Sequence, residues 1–352
     1  MHSPTITEEK QISPKIIRDR LQRPLRDLRI SVIDRCNFRC PYCMPAEHYP
    51  EAYRFLDKQQ WLSFAEIIRL TKLFVSLGVS KVRITGGEPL LRPNITELIE
   101  QLSCLDGVED LAMTTNGFYL EKFAAPLKKA GLSRLTVSLD TLDEKTFHVM
   151  NGQRGSLGAV LAGLTEAKQV GFSPIKLNVV VQRGVNDQQL LDIVQRFKGP
   201  DHIIRFLEYM DVGNRNHWQP EKVLPSEEIL KIITDRFLLK ALEPNYTGEV
   251  ATRYQFEDGS GEIGFVSSIS QPFCGTCNRA RLSADGKLYT CLFASEGYDL
   301  RSALRQEERD KDLRELLESL WQKREDRYSE LRFKTMLSNQ NRPKVEMYQI
   351  GG

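Results

Sequence analysis

The chain has 352 residues, 41% hydrophobic and 27% charged, ordinary for a soluble globular protein and enough for one large domain plus a smaller one. Lys+Arg of 49 against Asp+Glu of 47 give a formal charge of +2. That balance argues against a general nucleic-acid surface, and no run approaches the ~18 apolar residues of a membrane span.

In chain order, Met1–Lys10 are polar without the apolar stretch of a secretory signal, and residues 1–20 read as a flexible extension. Strand-like runs follow at 28–33, 81–85, 110–115, 135–140, 175–182 and 203–210. Helical patterns lie between them near 64–77, 95–103, 120–130, 156–170 and 187–198, the first opened by a Ser63/Glu66 capping box. Six βα repeats within 21–215 predict an α/β fold, a parallel sheet curled into an incomplete (βα)6 barrel with its chemistry at the C-terminal strand ends. Polar groups do collect there. Cys36 follows strand one, Gly86-Gly87-Glu88-Pro89 strand two, Thr114–Gly117 end strand three, and Ser138–Asp140 strand four. Strand five carries Lys176 and Asn178, and strand six ends in Glu208–Met210.

Residues 216–352 read as a smaller α+β region. A helix near 226–237 and a turn at 244–248 precede strands at 251–257 and 262–267, and Asp285-Gly286 between strand-like flanks predicts a hairpin. The stretch 299–330, rich in Arg, Glu and Leu, reads as an exposed helix with solvated charges. Val345–Ile350 alternates apolar and polar residues, as a docked strand ahead of Gly351-Gly352 would.

Six of the seven cysteines form two triads, Cys36-x3-Cys40-x2-Cys43 and Cys274-x2-Cys277-x13-Cys291, and the hairpin returns Cys291 to its partners. Each triad is one thiolate short of four ligands, and no histidine follows His217 to complete a zinc site at the second. Two [4Fe–4S] clusters, each with one open iron, are expected. Clustered free cysteines point to a reducing, cytoplasmic compartment, and Cys104 reads as a buried helix residue.

Arg279 and Arg281 stand two apart on one strand and so share a face beside Cys277. Arg29, Arg83 and Arg205 also lie on strands, with Lys81 nearby. Inward-facing cations need an anionic partner, and a nucleoside triphosphate supplies one.

The first triad, with Tyr42 before its third cysteine, and the Gly86–Pro89 loop resemble the radical S-adenosylmethionine superfamily. That resemblance implies S-adenosylmethionine contacts from Gly87 and Ser138, with Tyr42 near the adenine. With the second triad, the run Phe273–Leu282 and the terminal Gly351-Gly352, the chain from about Leu21 onward resembles the molybdenum cofactor biosynthesis protein A family. This implies that Cys36, Cys40 and Cys43 hold the radical-generating cluster, and Cys274, Cys277 and Cys291 a substrate cluster. It places Arg29, Lys81, Arg83, Thr114, Lys176, Arg205, Met210, Arg279 and Arg281 around nucleotide and cofactor, with Gly351 and Gly352 reaching the active site. The implied reaction converts GTP to 3′,8-cyclo-7,8-dihydro-GTP, the first step of molybdopterin assembly. The implied partners are a flavodoxin- or ferredoxin-type reductant, cyclic pyranopterin monophosphate synthase as product acceptor, and a second copy of the chain. A peptide-modifying radical enzyme usually carries more cysteines in its auxiliary domain. An iron–sulfur sensor or nucleic-acid-binding module explains neither the glycine loop nor the balanced charge.

Overall fold

The computed structural model describes residues 15–337 and 343–351. Its barrel half alternates β1 (Asp27–Ser31), α1 (Phe64–Ser76), β2 (Lys81–Thr85), α2 (Ile95–Ser103), β3 (Asp110–Thr115), α3 (Leu120–Lys129) and β4 (Arg134–Ser138). It continues through α4 (Glu144–Met150), α5 (Leu157–Gln169), β5 (Ile175–Val181), α6 (Leu190–Phe197) and β6 (His202–Glu208). The remainder comprises α7 (Ser226–Thr234), β7 (Leu239–Leu242), β8 (Thr252–Phe256), β9 (Glu262–Val266), β10 (Arg279–Leu282), β11 (Lys287–Tyr289) and β12 (Tyr298–Asp299), then α8 (Leu300–Arg305), α9 (Asp310–Gln322), α10 (Tyr328–Leu337) and α11 (Met347–Ile350).

The twelve strands among the described residues form one sheet, ordered β12-β11-β10-β1-β2-β3-β4-β5-β6-β9-β8-β7. The eight from β10 to β9 run parallel. Two of those eight come from the C-terminal region, which extends the barrel sheet at both edges. β9 and β10 are consecutive in sequence yet end opposite sides of the parallel run. Segment 267–278 therefore crosses the barrel's open side, and it carries Cys274 and Cys277.

The capping box at Ser63 and Glu66 forms as expected, and α1 buries Ile67, Leu70, Leu73 and Phe74. The Asp285-Gly286 hairpin also forms, pairing Arg281 with Tyr289, with Gly286 in the left-handed region at φ +80°.

Several expectations need correction. Residues 15–20 are not a loose extension: Ile17 donates its N–H to Leu77 O, and Asp19 is buried. The stretch 299–330 breaks into α8, α9 and the start of α10, and α9 buries Leu313, Leu317, Leu320 and Trp321. Its charges are not all solvated, because Arg324 is buried and paired with Asp19. Cys104 is exposed, because it caps the end of α2 beyond the buried Leu98, Ile99 and Leu102. Val345–Ile350 does not dock as a strand. Reciprocal bonds between Glu346 and Gln349 cap a short helix there instead.

Candidate active site

The first cysteine triad occupies the loop after β1. Cys43 and Met44 both donate N–H bonds to Cys40 O, at 2.9 and 2.8 Å, which curls the loop tightly. The buried Arg39 guanidinium donates to Tyr49 O and Cys36 O, while Phe38 packs edge-on against Phe118 and Phe147. Phe38 N and Asn116 Nδ2 both point at Cys36 Sγ, at 3.4 and 3.8 Å.

The glycine pair after β2 locks this loop in place. Gly87 N donates to Ile33 O and Glu88 N to Arg35 O, both at 2.8 Å. A Cβ on Gly87 would fall 2.3 Å from Arg35 O, so the glycines are demanded by the cluster loop's own backbone, whatever they do for a ligand. Glu88 is buried and accepts from Thr115 Oγ1, Asn116 N and Leu90 N; burial raises its pKa to about 7. Tyr42 donates to Asp140 Oδ2 at 2.7 Å, and burial pushes Asp140 up to about 6. Asp140 thus fixes the Tyr42 ring, a role visible in the sequence only as an acid at a strand end. Ser138 ends β4 opposite Asn178 of β5.

The second triad sits where segment 267–278 meets the hairpin. Cys277 N donates to Cys274 O at 3.1 Å. Arg23 Nη1 donates to Cys274 O at 2.7 Å, while Arg324 donates to Cys277 O at 2.7 Å and to Cys277 Sγ at 3.2 Å. Asp19 pairs with both guanidinium groups, at 2.6 and 3.0 Å. Burial raises the Cys277 pKa, but Arg279 and Arg324 outweigh it and bring the thiol down to about 6. The other thiols move the opposite way. Burial raises Cys36 and Cys291 to about 12 and lifts Cys40 and Cys43 as well.

These donor sets fit iron–sulfur clusters. Each offers three sulfurs and leaves one position open. Among the described residues, the three-donor group gathered within 4.8 Å is Glu47, His48 and His217, and neither cysteine triad is that tight. Thiolates on one tetrahedral ion at 2.3 Å would lie roughly 3.8 Å apart, so the wider spacing suits the corners of a cubane better than a single zinc.

Against the second triad lies a cavity walled by the strands of the sheet and by the segment that carries Cys274 and Cys277. Arg29, Arg83, Arg205, Arg279 and Arg281 line it with Thr114, Asn178, Met210 and the second triad, and among the described residues no carboxylate does. The sheet register explains the convergence: Arg29 stands opposite Arg281 on one side and Arg83 on the other. Arg83 donates to Thr114 and Thr136 hydroxyls at 3.0 and 3.1 Å. The Nε of Arg205, Arg279 and Arg281 is buried without a partner. Burial, followed by repulsion from Arg281, Arg279 and Arg83, holds Arg29 well below the usual arginine range. Arg83 and Arg281 fall to about 10, chiefly through burial. Arg279 alone rises, because the Cys277 sulfur, Asp27 and Cys291 outweigh its burial.

The other expected residues take different places. Lys81 donates to Tyr246 OH at 2.7 Å, near Asp27 and Asp110, outside the cavity lining. Lys176 also lies outside the lining, two residues before Asn178 and on the same face of β5. Gly351 lies against the end of β2: at φ +68°, a Cβ there would fall 2.0 Å from Thr85 Cγ2. Gly352 lies outside the described residues. Asp19 and Arg23 pair only four residues apart, but these two and Arg324 escaped sequence reasoning because the second triad and the Asp19–Arg324 contact lie 251 and 305 residues away along the chain.

The radical SAM superfamily model matches residues 30–197 and the Molybdenum Cofactor Synthesis C model residues 202–330. A GTP 3′,8-cyclase of Xanthomonas campestris pv. campestris (strain B100) is 52% identical over 341 residues, covering 97% of this chain and 99% of that protein. One from Staphylococcus haemolyticus is 47% identical over 337 residues, covering 96% and 99%. Among solved structures, SuiB of Streptococcus suis bound to S-adenosylmethionine superposes with a TM-score of 0.57 at 15% identity, over 80% of this chain and 64% of that one. That last likeness concerns the fold alone.

Proposed function

This chain belongs to the GTP 3′,8-cyclase family of the radical S-adenosylmethionine superfamily, and on that premise we propose that its five-arginine cavity is where GTP is held. Its reaction is the conversion of GTP to 3′,8-cyclo-7,8-dihydro-GTP, the first step of molybdenum cofactor assembly, with two [4Fe–4S] clusters and S-adenosylmethionine as cofactors. The observation that carries the placement is the cavity itself: five guanidinium groups, three with an unpartnered buried Nε, and no acid in the lining among the described residues. Such a charge excess has its natural counterpart in a triphosphate.

In this reading Cys36, Cys40 and Cys43 hold the first cluster, with Gly87, Ser138, Met210 and Tyr42 about S-adenosylmethionine. Cys274, Cys277 and Cys291 hold the second cluster, which faces the same cavity. When bound, the first cluster and S-adenosylmethionine would supply a 5′-deoxyadenosyl radical able to take the ribose 3′ hydrogen, and closure of C3′ onto guanine C8 would then need one electron and one proton to give an isomer of GTP. The chain's own part is positioning. Arg29, Arg205, Arg279 and Arg281 grip phosphate, and Arg83, held by Thr114 and Thr136, presents its remaining donors. Lys81 and Lys176 add positive potential from beneath the lining. The segment crossing the barrel's open side excludes water from the reacting atoms. Gly351 approaches the cofactor side beside Thr85.

The organisation proposed is a barrel portion to about residue 215 and a C-terminal portion that carries the second triad. The chemistry calls for a one-electron reductant such as flavodoxin or ferredoxin, and for cyclic pyranopterin monophosphate synthase to take the product. Homodimerisation and a cytoplasmic location rest on family membership alone. No helix among the described residues is long and apolar enough to cross a membrane. The placement is tested by comparing GTP, GDP and guanosine binding to cluster-loaded protein. Affinity should fall with each phosphate removed, and equal affinities would move GTP out of the arginine cavity.

A further inference from the structure

We propose that Glu47, His48 and His217 form a site for a borderline divalent cation of the zinc class, separate from both cysteine triads. Their three donor atoms lie within 4.8 Å of one another. His48 Nε2 is 3.3 Å from His217 Nε2, and His217 Nε2 is 3.8 Å from Glu47 Oε1. Nitrogens at 2.0–2.1 Å from a tetrahedral ion sit about 3.3 Å apart, so the imidazole pair already has the spacing of two ligands on one ion. Two imidazoles and a carboxylate without a thiolate select zinc, nickel or copper over magnesium or calcium.

The two sides of the site are 169 residues apart in sequence, and each is built independently. His48 and Tyr49 both donate N–H bonds to Pro45 O, at 3.1 Å each, in the loop that leaves Cys43. On the other side, Asn216 accepts from Trp218 N through its side chain and from Tyr209 OH through its carbonyl. His217, held between them, has φ +46°, in the left-handed region that histidine, like asparagine and aspartate, visits more readily than most residues. The imidazole faces His48 across the gap. Glu47 and His217 are exposed, so an ion would arrive from solvent and complete its shell with water.

The site has a structural consequence. A bound ion would tie the first cluster's loop to the segment after β6, the same two pieces on which the C-terminal tail rests. Tyr348 packs on Tyr49, and Glu346 accepts from Asn214 N at 3.0 Å.

The test uses anaerobic, cluster-loaded protein titrated with Zn2+ against a chromophoric chelator, with iron counted before and after. Wild type should take up one zinc per chain with no loss of iron. His217→Asn keeps a residue that tolerates the left-handed backbone, and Glu47→Gln removes the carboxylate. Each should weaken zinc binding about tenfold or more with iron content unchanged. Hydrogen exchange supplies the second readout: zinc should slow amides of residues 44–49 and 210–218 in wild type and not in His217→Asn. Equal zinc uptake by wild type and His217→Asn, uptake matched by iron release, or no uptake at stoichiometric zinc would each overturn the proposal.

Discussion

Arg324 Nη2 lies 3.2 Å from Cys277 Sγ, and the same guanidinium pairs with the buried Asp19 at 3.0 Å. A helix-end arginine from α9's far side thus donates to a ligand of the second triad, while Asp19 and Arg23, near the start of the described chain, brace it. Donors to a ligand sulfur and a nearby positive charge both favour the reduced cluster. Arg324→Met should therefore shift the second cluster's reduction potential negative and leave the first cluster's unchanged. Removing one member of a buried ion group should also cost about 3–5 kcal/mol of stability. Potentiometric titration followed by electron paramagnetic resonance reads both clusters separately, and an unmoved second potential would contradict this role.

The cavity arginines should behave in the opposite way. Arg29 is destabilised by burial and by Arg281, Arg279 and Arg83, so removing a neighbour relieves the ligand-free protein. Arg281→Ala should weaken GTP binding by ~1.5–3 kcal/mol, the worth of a charge-assisted hydrogen bond, while S-adenosylmethionine binding holds. Its melting temperature without GTP should not fall. Calorimetry and thermal denaturation give the two signs. Unchanged GTP affinity would place Arg281 outside the substrate site.

Lys176 gives the pH dependence. Burial, then Arg205, Arg134, Arg83 and Lys81, lower its pKa to about 6. The lysine is then mostly neutral above that pH in the ligand-free protein, whereas the unfolded chain keeps its proton to about 10.4. Its contribution to ligand-free stability accordingly rises with pH across that window. A triphosphate favours the charged form, so GTP binding should take up a proton near neutral pH and weaken as pH rises from about 6. Calorimetry in buffers of different ionisation enthalpy counts the proton. Wild type should show uptake that Lys176→Met loses, and equal proton counts would remove Lys176 from the site's electrostatics.

The two triads should be separable. Reconstituted protein should hold about eight irons, and Ser at Cys36, Cys40 or Cys43 should abolish cleavage of S-adenosylmethionine. Ser at Cys274, Cys277 or Cys291 should remove about four irons and all cyclisation while leaving some uncoupled cleavage. Stoichiometric zinc retained by the second triad after anaerobic isolation would contradict the cluster assignment there.

The tail should matter to product and not to radical formation. Gly351 has no room for a Cβ beside Thr85. Gly351→Ala, or deletion of Gly351-Gly352, should preserve both clusters and 5′-deoxyadenosine formation while cyclised product falls sharply. Equal product yield from wild type and truncation would make the tail a spectator.

Much of this was legible in the sequence, and the reasons are physical. A parallel barrel strand is an apolar run with a polar end, so β2 and β3 could be bounded correctly and β1, β4, β5 and β6 nearly so. Arginines on such strands are conspicuous, and Arg29, Arg83, Arg205, Arg279 and Arg281 do meet in one cavity. Long-range closure was not legible. Nothing local says that β9 and β10 flank opposite ends of one parallel run, or that Arg324 answers to Asp19 across 305 residues. The tail misled because alternating residues suit a strand, whereas the Glu346–Gln349 exchange of bonds decides for a helical turn.

The central claim, that this chain positions GTP for hydrogen removal at C3′, is tested most directly by isotope. The product is an isomer of GTP, so mass alone is silent and the label must move. Anaerobic turnover with reductant, S-adenosylmethionine and [3′-²H]GTP should place deuterium in 5′-deoxyadenosine and leave the cyclised product without it. Unlabelled 5′-deoxyadenosine, or deuterium retained in the product, would contradict it.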